Sequence, residues 1–359
     1  MPNQESSHAS SGKGKSKKGK KANRASIRDV AELAGVSIGT VSNTLNRPQT
    51  VRKPTREAVE KAIRDLNFTP NPHARVLSGS ASQLIGLIVL DVRSPFFMEV
   101  AHAVEKVASM NDHVVVVASS ENSEAKEQQL LKMLAAQQVR GVLLSPATAG
   151  PFPPTAPVAE VEVPTVYVDC HMGPDHCCVS VDHVAGARLA TRHLLDLGHR
   201  QIAFVGDSTQ LHQFDDRITG VRQGLAERGL DPAESLIEIR PPGLGMQDGL
   251  FAGAELLDLG LPTGILCGND MMAFGVYRAL ATAGVEVGKE VALIGYDDVD
   301  FAADWVLPLT SVRQPTSEMG RVAAQLLLEH TSGDPNHQHQ QVVLRPELVI
   351  RESSGKPRN

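Results

Sequence analysis

Apolar residues recur at helical spacing three times in the first seventy positions. Ile27, Val30, Ala31 and Ala34 share one helical face, with Ser26 placed to cap it, Asp29 as a short capping-box partner and Gly35 to end it. Ser37 caps a second helix that turns Val41 and Leu45 inward and leaves Ile38, Gly39, Ser42 and Asn43 facing out. A third helix is expected from Thr55, burying Val59, Ala62, Ile63 and Leu66 and stopping before Asn67, Phe68 and Pro70. Two short helices across a glycine-bearing turn make a helix-turn-helix, and the third gives it a core.

From Leu84 the pattern changes to short β-rich runs alternating with longer helical segments. Strands are expected at 84–92, 114–118, 141–144 and 163–168, with helices near 96–110 and 124–138 between them. The alternation restarts after Asp182 with helices near 184–197, 217–228, 248–259 and 271–283, and strands at 202–206, 264–267 and 291–295. Such alternation implies parallel sheets flanked by helices, and its length suits two of them. Ligands of open parallel sheets bind beyond the carboxyl ends of the strands.

Charge divides the chain at the same place. Residues 1–83 hold 15 Lys and Arg against 6 Asp and Glu, a net of +9; residues 84–359 hold 20 against 35, a net of −15. The overall −6 thus hides a basic module on an acidic body, as expected when one end neutralises phosphates. Residues 12–24, GKGKSKKGKKANR, are too polar to fold and are expected to be a disordered basic tail that either adds affinity for DNA or serves as a solubilising terminus. No apolar run reaches membrane-spanning length, and no apolar signal core follows the basic start, so a cytoplasmic protein is expected. Cys170, Cys177, Cys178 and Cys267 form no CxxC pair and are expected to be reduced thiols.

The order DVAxxAGVSxxTVS over Asp29–Ser42, followed by Asn46, Thr55, Arg56, Val59, Ala62, Leu66, Asn67, Phe68, Pro70 and Asn71, closely resembles the headpiece of the LacI/GalR family. Ser94-Pro95-Phe96-Phe97, Asp216-Arg217 with Gly220, Gly268-Asn269-Asp270, Leu293 to Asp297 and Gln314-Pro315 carry the resemblance almost to the C-terminus. It implies a small all-α helix-turn-helix headpiece (25–70), a hinge helix and linker (71–83), and an α/β core like periplasmic sugar-binding proteins (84–353). The core would have two parallel-sheet lobes joined by three crossovers, 84–182 with 313–340 and 183–312 with 341–353, before a short tail at 354–359. A homodimer on a pseudo-palindromic double-stranded operator is implied, with a small effector between the lobes. No tetramerising heptad tail is expected after Ser353.

The resemblance also assigns residues. Ile38, Gly39 and Asn43 would reach base edges, with Ser37, Thr40 and Ser42 near phosphates. In the hinge, Asn71 to Gly79, Leu77 would be the minor-groove wedge and Ala74 the point of close helix approach, with Asn71 also among the DNA-binding residues; Pro72 and His73 replace the commoner residues there. Arg217 matches the arginine that holds effector hydroxyls or a carboxylate. Asp297, Asn269 and Asp169 occupy strand ends, where they either meet the effector or cap helices, and Phe96 and Phe97 suit a ring face.

Other chemistry is weaker. Gly35-Val36-Ser37-Ile38-Gly39 spells GxSxG, but after a helix instead of a strand. Cys170, His171, His176, Cys177 and Cys178 are placed in a loop between strands with no zinc spacing, and His337 and His339 in a solvated loop. Asp297, Asp298 and Asp300 lack the rest of a calcium loop. No cofactor, metal, membrane or enzymatic role is expected. The expected function is a ligand-responsive regulator, most simply a repressor of carbohydrate genes, with a purine effector or an activating role as alternatives; a solute-binding transport protein would have no use for residues 26–79.

Overall fold

The computed structural model describes residues 25–69, 82–147, 163–206 and 211–355. The basic tail and the hinge positions Asn71, Ala74 and Leu77 lie outside these. The chain forms two compact units, residues 1–81 and 82–359.

In the first unit α1 spans Ile27–Ala34, α2 Ile38–Asn46 and α3 Lys53–Asp65, the last starting two residues before the expected Thr55. Ser26 and Asp29 form the capping box, and Gly35 closes α1 at φ 66°, a left-handed conformation that costs glycine nothing. Val30, Ala31, Val41, Val59 and Ala62 make the core, with Leu45, Ile63, Leu66 and Phe68 packed around it. Both α2 and α3 therefore present their expected apolar faces inward.

The second unit contains two six-stranded sheets. The first has strand order β11-β5-β4-β3-β1-β2, with β1 Leu84–Val89, β2 Val114–Ser119, β3 Gly141–Leu144, β4 Thr165–Val168, β5 Cys177–Val181 and β11 Gln341–Leu344. The second runs β12-β10-β9-β8-β6-β7, with β6 Ile202–Val205, β7 Leu236–Ile239, β8 Gly264–Cys267, β9 Ala292–Asp297, β10 Thr310–Arg313 and β12 Glu347–Val349. Among the described residues, only the β10–β12 pairing is antiparallel. Helices α4 (Pro95–Met110), α5 (Glu124–Ala136), α6 (His183–Asp196), α7 (His212–Ala226), α8 (Met246–Leu259), α9 (Asp270–Thr282) and α10 (Thr316–His330) intervene. The central strands β3, β4, β6 and β8 are buried along their whole length, which is why they read as unbroken apolar runs.

Three differences from the sequence expectation have physical causes. Cys177 and Cys178 lie in strand β5 and not in a loop: the run CCVSV is short and buried throughout, and nothing in it alternates. Helix α7 begins at His212, five residues before the expected start, so that Gln213 and Phe214 join Arg217 on it. Residues 341–344 pair with β5 in the first sheet, so the third crossover falls at Arg345-Pro346 instead of after residue 340. The other crossovers are at Asp182 and Gln314-Pro315.

Candidate functional site

The helix-turn-helix presents one polar face. Ser37 accepts the Thr40 backbone N–H at 3.1 Å, and the two hydroxyls lie 2.9 Å apart. Ser37, Ile38, Gly39 and Asn43 are exposed; Thr40 and Ser42 are half-buried, and Ser42 Oγ accepts from Asn46 Nδ2 at 3.3 Å. Ile38 remains 44% exposed on this face, whereas Val41 and Thr44 point inward. A methyl group added at Gly39 would meet only Ser37 Oγ at 3.6 Å, so the packing of the unit does not demand glycine there. Charge is distributed unevenly: residues 25–69 hold 7 Lys and Arg against 5 Asp and Glu, while residues 1–24 hold 7 against 1. Most of the positive charge noted above therefore belongs to the tail.

In the second unit, a cavity of about 450 Å³ opens at the carboxyl ends of the strands between the two sheets. All six candidates, Phe96, Phe97, Asp169, Arg217, Asn269 and Asp297, line it, having come from α4, the end of β4, α7, the end of β8 and the end of β9. Phe96 and Phe97 sit edge to face with ring centres 5.0 Å apart.

Arg217 is 4% exposed. Its guanidinium lies 3.9 Å from the centre of the Tyr296 ring and 4.9 Å from that of Phe214, donates to the Gly268 carbonyl, and reaches His183 Nδ1 at 3.4 Å. His183 Nε2 stands 2.9 Å from Asp169 Oδ1. Burial and the Arg217 charge push the His183 pKa down although Asp169 pulls it up, and the Arg217 guanidinium, which can only donate, stands at Nδ1 and calls for an unprotonated nitrogen there. Its tautomer follows from its neighbours: Nε2–H donates to Asp169, and Nδ1 accepts from Arg217 and from the Tyr296 hydroxyl at 3.2 Å. Burial would raise the Asp169 carboxyl, but His183 and Arg217 hold it below its ordinary value.

Asp297 accepts from Gln314 Nε2 at 2.7 Å. Burial pushes its pKa up to about 7, against the opposing pull of Arg217. Asn269 is committed locally: its Oδ1 caps α9 through the Met272 N–H at 2.7 Å, and its Nδ2 donates to the Leu244 carbonyl at 3.0 Å. Of the two roles open to a strand-end residue, it fills the helix-capping one while still facing the cavity. Asp169 and Asp297 cap neither following helix; both take positive φ, 59° and 110°.

Sequence reasoning missed Gln213 and His183 as site residues. Gln213 Nε2 donates to the Asp169 carbonyl at 2.9 Å and to Oδ2 at 3.2 Å, bridging the two lobes. Its signal was hidden because α7 was expected to begin after it. Arg217 Nε, Gln213 Oε1 and Gln314 Oε1 are buried with no protein partner, an arrangement that suits a ligand both donating and accepting hydrogen bonds.

The cysteine-histidine region divides. Cys170 and Cys178 are packed in an apolar cluster with Tyr167 and Met172, and His171 pairs with Asp216 at 3.4 Å. His337 and His339 are not a plain solvated loop: they meet Cys177 Sγ at 3.4 and 3.5 Å.

Comparison with known proteins agrees with both units. Residues 26–71 match the model for bacterial regulatory proteins of the lacI family, and residues 191–354 match that for a periplasmic binding protein-like domain. The HTH-type transcriptional repressor PurR of Photobacterium profundum is 30% identical over 343 residues, covering 92% of this chain and 98% of the relative. The lac repressor dimer bound to operator and the anti-inducer ONPF superposes with a TM-score of 0.82 at 28% identity, over 92% of this chain and 99% of that one. The transcriptional regulator CelR–cellobiose complex gives 0.67 at 31% identity, over 92% and 100%.

Two outcomes follow from the geometry. Gly39→Ala should leave the unfolding free energy unchanged or raise it by up to about 1 kcal/mol, the helix-propensity gain, while weakening binding to duplex DNA selected from a random pool. A destabilised variant would return the glycine to a folding role. Asp297 keeps its proton in the folded state from its ordinary pKa of 3.8 up to about 7, where the unfolded chain has lost it. The group therefore lowers stability as pH rises through that window. Urea unfolding of Asp297→Asn between pH 5 and 7.5 should show a smaller decline than the parent chain; equal slopes would contradict the raised pKa.

Proposed function

This chain belongs to the LacI family of bacterial regulatory proteins, ligand-responsive DNA-binding transcription regulators, and we propose that it is a homodimeric repressor of carbohydrate uptake or catabolic genes. The carrying observation is that the buried side chains Arg217 and Asp297 line one cavity at the strand ends, together with unpartnered polar atoms on Gln213 and Gln314. A polyol supplies what that cavity lacks: hydroxyls that donate to Asp297 and accept from Arg217, on a carbon frame that Phe96 and Phe97 can cover. The sugar complex of the similar CelR supports this reading. The effector contacts are assigned to Phe96, Phe97, Asp169, Arg217 and Asp297, with Asn269 shaping the wall through its cap.

On DNA, Ile38 and Asn43 are assigned to base edges in the major groove, Gly39 to a close approach, and Ser37, Thr40 and Ser42 to phosphates. Asn71, Ala74 and Leu77 are assigned to DNA contact as well, with Leu77 as the wedge. The protein acts where its DNA is, in the cytoplasm, through a population shift: an effector that prefers one lobe angle changes the affinity for operator by that preference. Among the described residues, no helix is long and apolar enough to cross a membrane.

Dimerisation is supported by exposed apolar surface. Edge strand β2 exposes Val114 (59%), Val116 (41%) and Val117 (40%), and α8 exposes Phe251 and Leu259 (both 60%). An uncharged, apolar edge strand is a surface that natural proteins cover.

A thermal-shift screen of sugars, sugar phosphates and purines against the full chain should find a stabilising ligand among the sugars; a purine hit would move the effector class. Arg217→Ala should abolish that shift and the ligand response in an operator-binding assay, with operator affinity of the ligand-free protein largely kept; a normal response removes Arg217 from the site. Leu77→Ala should weaken specific binding much more than nonspecific binding, and an equal loss in both would end its assignment as the wedge. Val116→Lys should turn the dimer into a monomer in sedimentation velocity, whereas an unchanged mass would exclude β2 from the interface.

A further inference from the structure

Four metal-ligating side chains converge outside the effector cavity. Cys177 opens β5, His330 ends α10, and His337 and His339 lie on the loop that joins α10 to β11. One ligating atom from each falls within 4.8 Å of all the others. Cys177 Sγ is 3.4 Å from His337 Nε2 and 3.5 Å from His339 Nδ1. A tetrahedral centre with a metal–sulfur bond of about 2.3 Å and metal–nitrogen bonds of about 2.0–2.1 Å separates its ligand atoms by roughly 3.3–3.6 Å. The sulfur–nitrogen distances are already those of such a centre.

The three imidazole rings pack against one another. His330 stacks on His337 with ring centres 4.6 Å apart and planes at 4°, and His339 stands across both at 88°. His330 Nδ1 is buried with no protein partner. Cys177 is fully buried, whereas His339 is exposed, so the cluster has an anchored floor and an open side. Hydrogen bonds also shape the loop: Asp334 Oδ1 accepts the Asn336 N–H at 2.9 Å, and the Cys178 N–H donates to the Gln340 carbonyl at 2.9 Å.

We propose that Cys177, His330, His337 and His339 form a site for a divalent transition metal of the Zn²⁺ class. One thiolate with three imidazoles is a borderline-soft donor set, suited to Zn²⁺ or Co²⁺ and poorly suited to Ca²⁺ or Mg²⁺. Binding forms the sulfur–metal bond and releases the Cys177 proton to solvent; no oxidant or reductant is involved. With four protein ligands the centre is closed, so its role is structural. It lies at the start of β5, at the other end of that strand from Val181 and the crossover at Asp182, and so is separate from the effector cavity. The metal would clamp the loop 331–340 onto the first sheet and make the stability of that lobe metal-dependent.

The test uses the full chain, reduced, stripped with chelator and titrated with Co²⁺. The expected result is one Co²⁺ per chain, with a thiolate-to-cobalt charge-transfer band and the intense visible bands of a tetrahedral centre, both displaced by an equivalent of Zn²⁺. Cys177→Ser should abolish the charge-transfer band. Because Cys177 is buried and its variant risks misfolding, His337→Gln and His339→Gln serve as surface variants; each should weaken metal affinity at least about tenfold and remove the rise in Tm on adding Zn²⁺. Absence of the sulfur–cobalt band in the parent chain, or unchanged affinity in both histidine variants, overturns the site.

Discussion

A buried guanidinium has to be compensated on every side, and the second unit is organised around that requirement. Removing a charge from water costs several kcal/mol unless hydrogen bonds and opposite charge replace the solvent. Arg217 meets the carbonyl of Gly268, the acceptor nitrogen of His183 and the faces of Tyr296 and Phe214, in the field of the Asp169 carboxylate. These partners come from both sheets. A doubly wound arrangement with its strand ends facing one cleft brings them together, and residues at the crossovers, His183 and Gln314, complete the ring.

The same compensation underlies the switching proposed above. Asp169 belongs to the first lobe, while His183 and Gln213, which hold it, are carried by helices α6 and α7 of the second. An effector that takes hydrogen bonds from Arg217 or Gln213 competes with these interlobe bonds or reinforces them, and either choice biases the lobe angle. The neutral state of His183 matters here, because a charged imidazole could no longer accept from Arg217.

The DNA-binding unit obeys different physics. Its folded helices are nearly balanced in charge, with most of the excess in residues 1–24. That balance agrees with the proposed assignment of discrimination to shape and hydrogen bonding at the face of α2. Gly39 fits this assignment, since its φ is not in the left-handed region and an added methyl would make only an ordinary contact with Ser37 Oγ.

Local pattern alone determined the three headpiece helices, the alternation of strands and helices, and the placement of Phe96, Asp169 and Asp297 at strand or helix ends, because capping residues and apolar periodicity act over a few positions. Those features were legible from Ser26 with Asp29, from Gly35, and from runs such as Leu84–Val89 and Gly264–Cys267. Tertiary structure alone decided the rest. Strand β5 carries no periodic signal because it is buried throughout; β11 joins the first sheet through a partner 163 positions away, Gln341 against Cys178. Gln213 and His183 became site residues only when folding set them against Asp169, and His337 and His339 only when the loop after α10 met Cys177. Such meetings depend on contacts between distant segments, which no local spacing of residues records.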